Sequence, residues 1–408
     1  MGRQIISGGT NNNFNATNVE FCNIRTARIN TWVSNLANRE ELVGADCKFH
    51  TLLAKVETAP GAGNSVTFEV MVNGASSGLS VTISGMETSN SSDATVLTLN
   101  ESDSVTLRST PVSSPTVSTS SWCLIADEVA DDGGTVILGG TSSDLPTTSI
   151  DNGFNYIAGG HLYLPAILSS TPSANMLLPI PCTVKNWFVK LTNAPGVGES
   201  RKFAIQKNDV DTTISVTILG TATTGSDTSN SVAFSANDKI RLDQSNSVSP
   251  AAADAKWGIQ FNLDDEEKQL IMMSTQDLLS KTDTEFNAVT SSNLTWNATE
   301  ANRRTLFANC RIISMHVELP QRAATAGGSY AFTLMKDGVA TAMNVIITGA
   351  TNTGNDTTNI IEIEDFNELS YRCVPTAGGL NDNGVMITLV GETAIPGKNT
   401  LMMLGHGQ

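Results

Sequence analysis

The sequence predicts an all-β protein of three tandem antiparallel β-sandwich modules of the jelly-roll type. Three observations predict it. The chain repeats itself three times, apolar residues alternate with period two inside each repeat, and the composition favours turns over helices. Its 408 residues include 33 glycines, only 5% aromatics and 16% charged residues. An average soluble protein carries about 25% charged residues. The length suits two or three domains.

The repeat comes first. Residues 66–85 read VTFEVMVNGASSGLSVTISG, residues 201–220 RKFAIQKNDVDTTISVTILG, and residues 330–349 YAFTLMKDGVATAMNVIITG. They align without a gap. Asn73-Gly74, Asn208-Asp209 and Asp337-Gly338 fall in register, and Gly85, Gly220 and Gly349 close the three copies. Upstream, Cys47, Cys182 and Cys310 begin matching apolar strands. Downstream, polar loops carry Asp93, Asp227 and Asp356. The stretches SDSVTL (102–107), NDKIRL (237–242) and NELSYR (367–372) follow, which sets Glu368 against Asp103 and Asp238. Trp122 matches Trp257, and the third copy has Val385 nearby instead. The expected modules are residues 1–132, with an N-terminal arm, then 133–267 and 268–396. Residues 397–408 form a C-terminal strand or tail.

Within each copy the local signals are those of strands. Phe68 to Val72 and Leu79 to Ile83 alternate apolar with mostly polar residues, as a strand with one buried face does. The turn pairs suit tight hairpins, because Asn, Asp and Gly accept positive φ at both central positions. The predicted core is Phe68, Val70, Val81, Ile83 and Trp122 in the first copy. In the second it is Phe203, Ile205, Val216, Ile218 and Trp257, and in the third Phe332, Leu334, Val345 and Ile347. Residues 27–42 and 275–288 have some helical spacing and predict short helical turns at most. Modules of this size, with about eight strands, favour a jelly roll. An immunoglobulin-like sandwich would want a central Trp flanked by paired Cys, an arrangement the copies lack.

Four short apolar stretches recur about one module apart: 4–9, 135–140, 270–275 and 400–405. Three modules need only three closing strands. The surplus predicts that one terminal stretch pairs outside its own module, with residues 400–404 swinging at Pro396-Gly397 to join another subunit by strand exchange. The alternative is that 400–405 completes the third module and 4–9 is a docked arm.

Composition excludes several function classes. A net charge of -16 without a Lys/Arg cluster disfavours nucleic acid. No apolar run is long enough for a spanning helix, so no membrane partner is expected. The N-terminal stretch lacks the apolar core of a secretory signal, which predicts synthesis in a cytoplasm without classical secretion. Cys22, Cys47, Cys123, Cys182, Cys310 and Cys373 are scattered without metal-ligand spacing and read as buried free thiols.

Chemistry-bearing patterns are few. His50, His161, His316 and His406 do not recur between copies, and no nucleophile elbow or HExxH motif occurs. No catalytic, cofactor-binding or metal residues are therefore assigned, and no enzyme is expected. Asp93, Asp227 and Asp356 suit Asx turns better than calcium, which wants six to eight oxygens. Asp103 and Asp238 read the same way. Asp127, Glu128, Asp131 and Asp132, and Asp264, Asp265, Glu266 and Glu267, read as solvated linkers between modules, with a bridging cation the alternative. Trp122 and Trp257 read as core, with a sugar-stacking platform the alternative. Sequons such as those at Asn15 and Asn297 are expected by chance in so Asn- and Thr-rich a chain.

The order Asn-Gly, VTISG, polar loop, (S/N)D-x-(V/I)-x-L, Trp resembles the small jelly-roll modules of phage virion and tail-fibre proteins. It is carried by residues 73–107 with Trp122, 208–242 with Trp257, and 337–371. It is also similar to the tumour-necrosis-factor-like heads that cap spore-surface proteins. The resemblance implies a non-enzymatic structural component of a virus particle: a tailed-phage capsid decoration, head-fibre or tail-associated protein. Its implied partners are other virion proteins and further copies of itself in a homo-oligomer. A receptor- or glycan-binding adhesin with a host-surface glycan as ligand is the alternative, as is a bacterial surface or spore-coat protein.

Overall fold

The computed structural model describes residues 3–26, 31–127, 135–141, 145–148, 150–158, 164–165, 174–265, 268–290, 292, 294–324, 327–376, 378, 380–381 and 383–392. The protein is all-β. Strands hold 59% of the described residues, against roughly 20–25% in an average globular protein. Among the described residues there is no α-helix, only two 3₁₀ turns at Leu36–Asn38 and Glu300–Arg303. The first lies inside the stretch 27–42 read as weakly helical. The turn expected in 275–288 is absent, and that stretch ends in a strand at Glu285–Ala288. Its apolar spacing serves loop and strand burial instead.

The strands fall into three successive groups. The first comprises β1 (Arg3–Gly9), β2 (Glu20–Cys22), β3 (Glu41–Leu42), β4 (Cys47–Val56), β5 (Gly61–Val72), β6 (Ala75–Gly85), β7 (Ser89–Ser92), β8 (Leu97–Leu99), β9 (Ser104–Val112) and β10 (Ser120–Asp127). The second comprises β11 (Thr135–Gly140), β12 (Ile150–Asn155), β13 (Leu164–Pro165), β14 (Met176–Leu178), β15 (Cys182–Leu191), β16 (Ser200–Lys207), β17 (Val210–Leu219), β18 (Thr224–Phe234), β19 (Asp238–Asn246) and β20 (Ala255–Leu263). The third comprises β21 (Lys268–Thr275), β22 (Glu285–Ala288), β23 (Thr305–Leu306), β24 (Cys310–Glu318), β25 (Ser329–Lys336), β26 (Val339–Thr348), β27 (Thr353–Asp356), β28 (Ile361–Ile363), β29 (Glu368–Thr376) and β30 (Val385–Glu392).

Each group makes two antiparallel sheets. The first has the orders β1-β10-β4-β7, with β8 also on β4, and β2-β9-β5-β6, with β3 also on β9. The third has β21-β30-β24-β27 and β22-β29-β25-β26. The second has β11-β20-β15-β18 and β13-β12-β19-β16-β17. The long hairpins share one register: Phe68 opposes Val81, Phe203 opposes Val216, and Phe332 opposes Val345. Their turns take positive φ at both central residues, 49° and 77° at Asn73-Gly74 and 51° and 80° at Asp337-Gly338. That geometry matches the right-handed twist of the flanking strands. Every predicted core residue is buried.

Three of the four recurring apolar stretches are opening strands. Residues 4–9 lie in β1 on β10, residues 135–140 are β11 on β20, and residues 270–275 lie in β21 on β30. Residues 4–9 are thus a ladder strand and not a docked arm, because their backbone N–H and C=O groups find partners along β10. The stretch 400–405 lies outside the described residues.

Pairing also revises the alignment. Ile387 opposes Val317, as Trp122 opposes Ala54 and Trp257 opposes Val189, so Ile387 and not Val385 takes the Trp place. The residue across the next ladder changes with it. Gly8 faces Trp122, Gly139 faces Trp257, and Met273 faces Ile387. A Cβ on Gly8 or Gly139 would overlap the indole. The indole N–H of Trp122 donates to the Ile24 carbonyl at 2.5 Å, and that of Trp257 to Ile157 at 2.8 Å.

Candidate functional site

The recurring acidic loops are turns at two of three positions. Asp227 Oδ1 accepts the backbone N–H groups of Ser229 and Asn230, and Oδ2 accepts Ser215 N–H. Asp356 does the same with Thr358, Asn359 and Asn344. Burial pushes the Asp356 carboxyl up, but the hydrogen bonds from Asn359, Asn344 and Thr358 outweigh it and hold it at about 2. Asp227 is lowered by the same balance. Asp93 is exposed and does not share this role. Ser92 opposes Leu52 where Asp227 opposes Trp187 and Asp356 opposes Met315, so the first group has Ser at that place. Asp103 and Asp238 cap their own turns, accepting N–H from Asn100 and Ser235 at 2.8 and 2.6 Å.

The other candidates disperse. Trp122 and Trp257 are fully buried, which removes them as sugar platforms. All six cysteines are buried and free, and burial pushes the thiols of Cys22 and Cys182 up to about 12. His50 contacts Thr51 Oγ1, and His316 contacts Ser314 Oγ, its pKa lowered by burial. His161 and His406 lie outside the described residues. Asp264 and Asp265 are exposed, Asp265 pairing with Lys268 at 2.8 Å. Glu128, Asp131, Asp132, Glu266 and Glu267 lie outside the described residues. Among those described, no cluster of His, Cys, Asp and Glu is placed to hold a metal ion.

What the structure brings together, and sequence reading missed, are three seams between the strand groups. β1 and β10 pack on β23, β11 and β20 on β3, and β21 and β30 on β14. At the first seam Lys55 Nζ meets Glu368 Oε2 at 2.7 Å, with Glu368 buried. At the seam of the third and second groups Lys239 meets Glu318 at 2.5 Å, and Thr388 Oγ1 donates to the Leu177 carbonyl at 2.7 Å. At the seam of the second and first groups Lys190 and Lys256 approach Glu40 at 3.8 and 4.0 Å, and Lys256 also donates to the Ala37 carbonyl. Gly258 lies there against the backbone of Val43 and Gly44, too close for any side chain.

Beside this last seam runs a half-open cavity of about 500 Å³. Ser102, Lys190, Thr224 and Ser226 line it with polar groups, together with the apolar Leu42, Phe188 and Val189. Buried behind the seam are Arg25 and Glu41, whose Oε2 accepts the Arg25 backbone N–H at 2.9 Å. Burial raises the Glu41 pKa and lowers that of Arg25, each against the pull of the other's charge. One sequence signal for the seams existed. The eighth residue after Cys47, Cys182 and Cys310 is Lys55, Lys190 and Glu318, charged in all three.

No known protein family matches the chain, and no curated protein matches it.

Proposed function

We propose that the chain is a non-enzymatic structural component of a virus particle, a tailed-phage capsid decoration, head-fibre or tail-associated protein. It would consist of three jelly-roll modules, residues 1–132, 133–267 and 268–396. The observation that supports this most is strand order. In β1-β10-β4-β7 against β2-β9-β5-β6 the first strand lies beside the last, and the chain crosses between two sheets. A jelly roll is built that way, and capsid proteins use it widely. The partners would be other virion proteins and further copies of this chain. Particles purified on a density gradient from the native source test the reading. The chain, followed by mass spectrometry, should co-sediment with infectious particles at fixed stoichiometry. Recovery solely with unassembled protein sinks the proposal.

A second reading, a glycan-binding adhesin, is favoured by the cavity at Lys190. Its mixed lining of hydroxyl and apolar side chains suits a sugar's edge and face. A glycan array distinguishes the two. Binding by the parent that Lys190→Ala loses favours the adhesin, and silence from both favours the structural role.

A further inference from the structure

We infer that the three strand groups close into a ring whose order is written in the charges at its seams, and that this code rejects the reversed ring and association of the second or third group with its own kind. The contacts run from the first group to the third, from the third to the second, and from the second to the first, so none is left over. The same element meets the same element each time: the opening and closing strands of one group cover the short strand β23, β14 or β3 of the next.

The charges sit at equivalent places. On one side of each seam stands the residue eight beyond the Cys that opens β4, β15 or β24: Lys55, Lys190 or Glu318. On the other stands the residue whose backbone N–H is accepted by the hairpin side chain. Asn73 accepts Ser104 at 2.9 Å, Asn208 accepts Lys239 at 2.8 Å, and Asp337 accepts Glu368 at 2.8 Å. Lys55 meets Glu368, and Glu318 meets Lys239 with the signs reversed. Lys190 faces the place where Ser104 stands, and the carboxylate is supplied by Glu40, which Ser104 holds through a 2.8 Å hydrogen bond.

Every seam is therefore attractive in the observed order. Run the ring the other way and Lys55 would face Lys239, and Glu318 would face Glu40. Two of the three seams would then repel. Bring like groups together from different chains and Lys190 would face Lys239 in the second group, and Glu318 would face Glu368 in the third; only the first group, with Lys55 against Glu40, would not be repelled by its own kind. Like charges held in partly buried contacts are poorly screened, so such placements are penalised. Specificity here comes from repelling the wrong neighbours as much as from attracting the right one. A chain so built completes a threefold unit by itself, with three non-identical sides. The inference stands whether or not the unit belongs to a virus particle.

Zero-length carbodiimide coupling of the full-length protein tests the ring, since it joins an amine to a carboxylate only in direct contact. Mass spectrometry should find Lys55 joined to Glu368 and Lys239 joined to Glu318 within chains that keep monomer mass on a denaturing gel. If neither joint forms, or if both form solely between chains, the ring is wrong. The code is tested by reversal. Lys239→Glu should lose the 239–318 joint and lower the melting temperature. The double variant Lys239→Glu/Glu318→Lys should restore both. A single reversal that melts like the parent, or a double variant that melts no higher than the single, overturns the code.

Discussion

Asp337 accepts the side-chain amide of Asn367 at 2.7 Å, and this pair is the mirror in composition of its counterparts. In the other two hairpins the turn residue is the amide and its partner the acid: Asn73 donates to Asp103, and Asn208 to Asp238, each at 2.7 Å. The geometry needs one donor and one acceptor, and either order supplies them. Asn367, and not Glu368, therefore occupies the place of Asp103 and Asp238. Asn367 Oδ1 also accepts Glu364 N–H at 2.6 Å, as Asp103 accepts Asn100.

Asp337→Asn should leave two amide NH₂ groups facing each other, at a cost of about 0.5–1.5 kcal/mol. Adding Asn367→Asp rebuilds the arrangement of the first hairpin and should return most of that loss. Urea melts of the parent, the single and the double variant check this.

Trp257→Ala should cost about 3–5 kcal/mol in its own strand group, from lost transfer energy plus the cavity left behind. Gly139→Met should be at least as damaging, because the indole fills the space above Gly139. The pair Gly139→Met/Trp257→Ile copies Met273 and Ile387, and it should melt above Gly139→Met alone. Calorimetric scans of the three variants decide the point.

Acid should weaken the loops held by Asp356 and Asp227. The Asp356 carboxyl sits at about 2 when folded, below its ordinary 3.8. A lowered acid pKa contributes stability that is complete above the unfolded value and is lost as the pH falls through the folded one. The loss belongs to the window between about pH 5 and pH 2. Asp356→Asn should be less stable than the parent near neutrality and should lose less further stability across that window. Parallel slopes for the two proteins would contradict it.

Deleting residues 397–408 tests strand exchange. β21 already fills the ladder beside β30, so the truncated chain should stay folded by circular dichroism. Under exchange it should fail to form a homo-oligomer on sizing. Normal assembly, or outright unfolding, removes the idea.

Much of the fold was legible in the residues. Asn73-Gly74 and Asp337-Gly338 announce hairpins, and the alternation around Phe68, Phe203 and Phe332 names the buried face, because turn dihedrals and strand pleat act over two to four residues. The same local signals erred where pairing decides the register. Asp93 matches Asp227 in the sequence only to within one residue, and the ladder decides that residue by setting Ser92 there. Val385 looked like the substitute for Trp257, but Ile387 is, with Met273 replacing the glycine across from it.

By itself the sequence determined the strands, the hairpin turns, the core positions and the class of the protein as all-β, since each follows from periodicity and short-range sterics. The tertiary structure alone decided which charges meet. Lys55 and Glu368 are 313 residues apart in the chain, and nothing local to either distinguishes a solvated surface charge from one side of a seam. The difference is made by desolvation and proximity, and those exist only once the strand groups have come together.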